Sequence, residues 1–189
     1  MNERELLVDC LGRLNALAFP YYLTGSMASN YWGIPRTTHD IDFVVALATA
    51  NVNGIVAAFA DAFHIDEEAV RAAFAPPHQF NAIDTRSSLK VDFWLAQRTP
   101  FEDSMFERRI HTTLFGVEAW LASPEDVMLH KLCWNKITPS ERQFSDAAGI
   151  VAVQGEHLDR TYLLSWSDSL GIADDVRRLL RGEIQPKQS

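Results

Sequence analysis

The segment Asp40-Ile41-Asp42-Phe43-Val44-Val45 sets two carboxylates, separated by one residue, in an otherwise apolar run. Side chains alternate along a strand, so Asp40 and Asp42 share one face while Ile41, Phe43 and Val45 take the other. Like charges this close disfavour joint ionisation, and a strand of this kind calls for a compensating cation. Carboxylate oxygens suit Mg²⁺ or Mn²⁺ rather than zinc. A second segment, Leu89-Lys90-Val91-Asp92-Phe93-Trp94, repeats the theme with Asp92 between Val91 and Phe93. If the two strands are neighbours, Asp40, Asp42 and Asp92 converge on one patch. That is the layout for two metal ions roughly 4 Å apart assisting an in-line phosphoryl displacement.

Upstream, Leu23-Thr24-Gly25-Ser26 joins a short aromatic strand, from Tyr21, to a brief helix that ends near Trp32, before Gly33 and Pro35. A glycine there lets backbone N–H groups approach a phosphate, and a helix N-terminus favours negative charge. The Ser26 hydroxyl can donate to the same phosphate. Arg36 and Thr38 lead into the acidic strand. Arg36 suits a bidentate phosphate clamp, or is a plain surface arginine. Lys131 lies between Leu129 and Leu132 in a helical pattern, able to reach a triphosphate as a point charge or to be an ordinary exposed lysine. The pair His39-Asp40 does not suit a helical His-Asp metal phosphohydrolase, because it opens a strand. His64, His78, His111, His130 and His157 show no ligand spacing.

The remaining pattern orders these motifs. Leu6, Leu7, Cys10, Leu11, Leu14 and Leu17 predict an amphipathic helix over 3–18. A strand follows over 39–46, then helices over 50–62 and 66–75, the second capped by Asp66. Strands at 79–84 and 89–95 flank the polar turn Thr85-Arg86-Ser87-Ser88, a hairpin. A short helix from Phe101 to Arg109 precedes weaker strands at 110–113 and 116–120. From Ser123 the texture is helical: Ser123 as N-cap, Pro124 at the first position and Asp126 three residues after the cap. Helices are expected at 124–137, 141–153, 158–168 and 173–181, followed by a frayed polar tail. The class is α+β: a mixed sheet flanked by helices over 1–121, and a helical subdomain, 122–189, packed on it.

Composition narrows the function classes. The 189 residues are 47% hydrophobic, enough for a sizeable core. No apolar run approaches the roughly 20 residues that span a bilayer. Met1-Asn2-Glu3-Arg4-Glu5 carries acids where a signal peptide carries bases, so a cytoplasmic protein is expected. Cys10 and Cys133 read as reduced, apolar-face cysteines. The net charge of −8 argues against a dedicated nucleic-acid binder.

Gly-Ser, then Asp-x-Asp between apolar residues, then a later apolar-Asp-apolar strand resembles the DNA-polymerase-β-type nucleotidyltransferase superfamily. Arg36-Thr37-Thr38-His39-Asp40-Ile41-Asp42 looks closer still to its AbiEii-type toxin branch, with its Arg-x-Thr-x-Asp-Ile-Asp. Ser123-Pro124-Glu125-Asp126, Lys131, and Arg142 followed by Asp146 resemble that branch's helical segment, so the likeness covers about residues 20–153. Phe144-Ser145-Asp146 departs from it in having no basic residue beside the acid. The resemblance implies transfer of a nucleoside monophosphate from a nucleoside triphosphate to an acceptor hydroxyl: tRNA, protein or a small molecule. Asp40, Asp42 and Asp92 would hold Mg²⁺ or Mn²⁺, and Asp92 would also help deprotonate the acceptor. Gly25, Ser26, Arg36, Thr38, Lys131 and Asp146 would bind the nucleotide. A toxin with an antitoxin partner is implied as well. The alternatives are a non-catalytic nucleotide-binding regulatory module and an aminoglycoside-type small-molecule nucleotidyltransferase.

Overall fold

The computed structural model describes residues 1–17 and 19–187. Ala18, at the end of the first expected helix, and Gln188-Ser189, at the end of the polar tail, lie outside the described residues. The chain runs α1 (Glu3–Leu17), β1 (Tyr21–Thr24), α2 (Gly25–Trp32), β2 (Ile41–Val45), α3 (Val52–Phe59), β3 (Phe63–Ile65), α4 (Glu67–Ala72), β4 (Gln79–Asp84), β5 (Lys90–Leu95), α5 (Pro100–Arg108), β6 (Ile110–Leu114) and β7 (Val117–Leu121). Four helices follow: α6 (Pro124–Ile137), α7 (Glu141–Gln154), α8 (Arg160–Ser169) and α9 (Ala173–Leu180). They form two compact units, Met1–Thr24 with His39–Leu121, and Gly25–Thr38 with Ala122–Ser189.

Among the described residues of the first unit, seven strands make one mixed sheet in the order β3-β4-β5-β2-β1-β7-β6. The pairs β2–β5 and β1–β7 are parallel; the other four are antiparallel. Register places Leu23, Phe43, Phe93 and Phe80 in one row across β1, β2, β5 and β4. Phe93 stacks on Phe43 and Phe80 at 5.8 and 5.0 Å and meets Phe59 of α3 edge-on at 5.4 Å. This aromatic row is the centre of the core, since each of these rings is at least 97% buried. Burying such a ring stabilises by about 2–3 kcal/mol. On the alternate face, α5 packs on β1: Phe106 meets Tyr22 at 4.8 Å, and the Tyr22 hydroxyl reaches Met105 Sδ at 3.9 Å.

In the second unit, Ser123 caps α6 as its spacing indicates, its Oγ accepting from Asp126 N and donating to Asp126 Oδ2 at 2.7 Å. The Tyr162 hydroxyl of α8 donates to the other Asp126 oxygen at 2.6 Å. The helix α2 packs against α6 and α7. The division read from the sequence, 1–121 and 122–189, differs from the observed one in this stretch. Residues 25–38 join the C-terminal helices because α2 buries Ser26, Ala28 and Ser29, a tertiary preference that no pattern along the chain announces.

Two further differences are local. The helices expected over 50–62 and 66–75 are shorter, and between them Phe63-His64-Ile65 adds an edge strand to β4. Three residues are too few to register as alternation, and pairing with β4 overrides local propensity. The strand β2 begins at Ile41 rather than His39, which leaves Asp40 one residue outside the ladder.

Candidate functional site

The first unit carries the acids. Register sets Thr24 beside Asp42, Asp42 beside Asp92, and Asp92 beside Asn81. A polar row therefore crosses four strands, one residue along from the aromatic row and on the opposite face. Asp42 is half-buried and Asp92 only 8% exposed, while Asp40 is exposed just ahead of the strand. Like charges directly opposite each other on neighbouring strands are destabilising. Two buried oxygens on the row, Thr24 Oγ1 and Asp92 Oδ1, have no hydrogen-bond partner.

Sequence reasoning assigned Lys90 no role, and it lies in this row's immediate surroundings. Two residues before Asp92 on the same strand, it shares that face, and its Nζ pairs with Asp92 Oδ2 at 2.8 Å. The hydrogen bond to Asp92 raises the Lys90 pKa despite partial desolvation, with the negative charges of Asp92, Asp40 and Asp42 adding to it. The signal was present as a lysine in the same alternation as the acid. Thr24 was also missed, because a threonine ending a strand is ordinary until its hydroxyl proves buried.

Among the described residues no three His, Cys, Asp or Glu side chains gather closely enough to hold a metal ion. The donor set still fits a hard divalent cation in its chemistry: carboxylate oxygens, two buried oxygens without partners, and excess negative charge. What departs from a closed site is the orientation of Asp92, whose second oxygen is turned to Lys90.

The second unit carries the cations. Gly25 opens α2 at φ +63°, a left-handed conformation that glycine adopts without strain. Ser26 follows, 8% exposed, its Oγ accepting from Arg36 Nη2 at 2.9 Å and lying 3.5 Å from Lys131 Nζ. Asp146 of α7 ties the group together. It accepts two bonds from Arg36, at 2.7 and 2.8 Å, and one from Lys131 at 2.7 Å. Burial alone would raise the Asp146 carboxyl pKa, but the hydrogen bond from Arg36 and the charge of Lys131 outweigh it and hold it below the ordinary value. One carboxylate against two cations leaves a net positive charge at the N-terminus of a helix, where an anion is favoured.

Lys131 is thus no surface lysine, at 7% exposed, and Arg36 is only half-buried but held by name. Its placement depends on Asn30, whose side chain donates to Arg36 O at 2.7 Å and accepts from Arg36 N at 3.1 Å. Asn30 carried no recognisable signal in the sequence. Thr38 is half-buried at the end of the same segment. Cys10 is buried, Cys133 half-buried, and both are free thiols.

No family model matches the sequence, and no curated protein matches it. Solved structures do resemble it. An antigenic nucleotidyltransferase-like protein from Paracoccidioides brasiliensis superposes with a TM-score of 0.57 at 14% identity, over 99% of this chain and 95% of that one. ANT(2'')-Ia in complex with adenylyl-2''-tobramycin gives 0.57 at 11% identity, over 95% and 97%. A Thermotoga maritima protein assigned as a nucleotidyltransferase gives 0.53 at 16%, over 72% and 89%. The mixed seven-stranded sheet with its flanking helices is therefore a nucleotidyltransferase-like fold of the α+β class.

Proposed function

We propose that the chain is a nucleotidyltransferase. It transfers a nucleoside monophosphate from a nucleoside triphosphate to an acceptor hydroxyl. The bond from acceptor oxygen to the α-phosphorus forms, the bond from that phosphorus to the bridging oxygen of the β-phosphate breaks, and pyrophosphate leaves. The observation that carries this reading is the in-register pair Asp42–Asp92 with a buried, unpartnered carboxylate oxygen. Such an arrangement has no structural use, since it costs stability in a sheet.

Each residue then has a task. Asp40, Asp42 and Asp92 hold Mg²⁺ or Mn²⁺, which when bound neutralises phosphate charge and favours the in-line geometry. Asp92 also takes the proton of the acceptor hydroxyl. Gly25 and Ser26 offer backbone N–H groups and a hydroxyl to the triphosphate. Arg36 and Lys131 supply positive charge there, and Asp146 keeps both cations in place between turnovers. Thr38 follows Arg36 on the segment that leads into the acidic strand.

The acceptor is assigned from charge. A net charge of −8 disfavours a long polyanion such as RNA, which favours a small-molecule or protein hydroxyl acceptor. An AbiEii-type toxin, acting on tRNA ends and restrained by an antitoxin, is the second reading, supported by the run Arg36 to Asp42. Among the described residues no helix is long and apolar enough to cross a membrane.

The experiment is direct. The protein is incubated with Mg²⁺, each α-labelled triphosphate, and either small polyhydroxylated amines or total RNA. Label is expected in a small acceptor, and Asp42→Ala is expected to lose about a hundredfold or more in rate, as when a major electrostatic stabiliser is removed. Label in RNA, with growth arrest on expression, selects the toxin reading. Equal, background labelling by both proteins in all acceptors leaves a non-catalytic binding module.

A further inference from the structure

The acidic row does not wait for its cation with an open charge. Lys90 reaches it from the same strand, its Nζ 2.8 Å from Asp92 Oδ2. The other Asp92 oxygen is buried without a partner, and so is Thr24 Oγ1, on the far side of Asp42 in the same register row. Thr24 is 4% exposed and Asp92 8%. These are oxygens arranged for a ligand, with one of the needed donors engaged elsewhere.

We infer that Lys90 is a tethered counter-ion that holds Asp92 while the site is empty and that a divalent cation must displace to bind between Asp42 and Asp92. The inference rests on the metal reading proposed above and adds to it a competitor built into the chain. Without a cation, Asp42 and Asp92 are adjacent carboxylates on parallel strands, and a nearby ammonium relieves their repulsion. Half of the Lys90 side chain is solvent-exposed, so its head can swing into water at little conformational cost. A divalent ion brings twice the charge and accepts several oxygens at once, which an ammonium with a single hydrogen-bonded carboxylate cannot match. Metal binding then becomes an exchange of cations rather than a simple capture.

The consequence is a trade between the stability of the empty protein and its affinity for metal. Replacing Lys90 removes the competitor and frees Asp92, so the metal site tightens while the empty sheet loses its neutralising charge.

The test uses the full chain and Mn²⁺ alone, titrated with the free ion followed by electron paramagnetic resonance. Lys90→Met and Lys90→Gln are both made, so that one poorly folded variant does not decide the matter, and far-ultraviolet circular dichroism checks the fold of each. Both variants are expected to bind Mn²⁺ about tenfold more tightly than wild type, the worth of one exposed charge-assisted hydrogen bond that no longer has to be broken. Both should melt at a lower temperature without metal and gain more on adding it. Asp42→Asn in the Lys90→Met background should abolish the binding, which ties the ion to this row. Equal or weaker Mn²⁺ binding by both folded variants overturns the inference while leaving the metal reading intact. Absence of binding in wild type and in both variants overturns the metal reading, and the inference with it.

Discussion

Asp146 holds two cations with one carboxylate, its side chain 4% exposed and that of Arg36 19%. Taking charges out of water costs several kcal/mol per ion, and the partner left behind when one is removed suffers most. Asp146→Asn keeps the shape and removes the charge, so Arg36 and Lys131 are left facing each other. Chemical denaturation should show a loss on the order of 3 kcal/mol. The sign of its pH dependence follows from the depressed folded pKa. The contribution of Asp146 is fully present above the unfolded carboxylate value of about 4, and it fades as pH falls through the lower folded value. The gap between wild type and Asp146→Asn should therefore be constant from pH 7 to about 4 and narrow below it. A gap that narrows between pH 7 and 5 would mean another group controls the cluster. At this scale the sequence was a partial guide. Asp40, Asp42 and Asp92 stand out because charge inside an apolar alternation is anomalous. Lys131 and Asp146 were marked mainly by the family resemblance, since a lysine and an acid on helices are ordinary until the fold brings them together.

Between α2 and α7 the chain permits an unusually close approach. A Cβ built on Gly33 would lie 2.8 Å from Ile150 N and 2.9 Å from Gly149 C, and one on Gly149 would lie 3.2 Å from Ile34 N. These are backbone atoms that cannot turn aside. Gly33→Ala should therefore force the two helices apart and cost about 1–3 kcal/mol, as overpacking does. Thermal melting reads the loss directly; a melting point within a degree of wild type would show that the helices yield freely. Pattern reading gave Gly33 the narrower role of ending a helix. It identified nearly all the helices and the β4–β5 hairpin correctly, because long periodic segments and polar turns such as Thr85 to Ser88 are locally determined. It missed β3, and for the same physical reason it missed the purpose of Gly33. Both are set by a partner distant in sequence.

For the molecule as a whole, the two compact units are interleaved along the chain rather than strung end to end. The peptide links Thr24–Gly25 and Thr38–His39 are both crossings, and both lie within the stretch that holds the candidate site motifs. A fragment ending at residue 121 would contain α2 without α6 and α7, the helices it packs against. Its sheet residues are all present, but the buried Ser26, Ala28 and Ser29 surface would be bare. Such a fragment should show proteolytic cleavage confined to residues 25–38, at concentrations where the full chain resists. Protection of that stretch in the fragment would mean that the second unit does not need its C-terminal helices to order α2. Charge, length and composition foretold none of this, because they are indifferent to the order in which a chain visits its own parts.

That order matters on the ribosome. The α2 segment emerges first, and the sheet residues 39–121 must follow before α6 and α7 appear. At typical elongation rates the wait is on the order of ten seconds, long compared with the microseconds in which a helix forms and melts. During that interval the nascent chain carries the Gly25-Ser26 turn and Arg36 without Lys131 or Asp146 to order them. Whatever activity resides in the site is therefore withheld until α6 and α7 have been made, a timing imposed by connectivity alone.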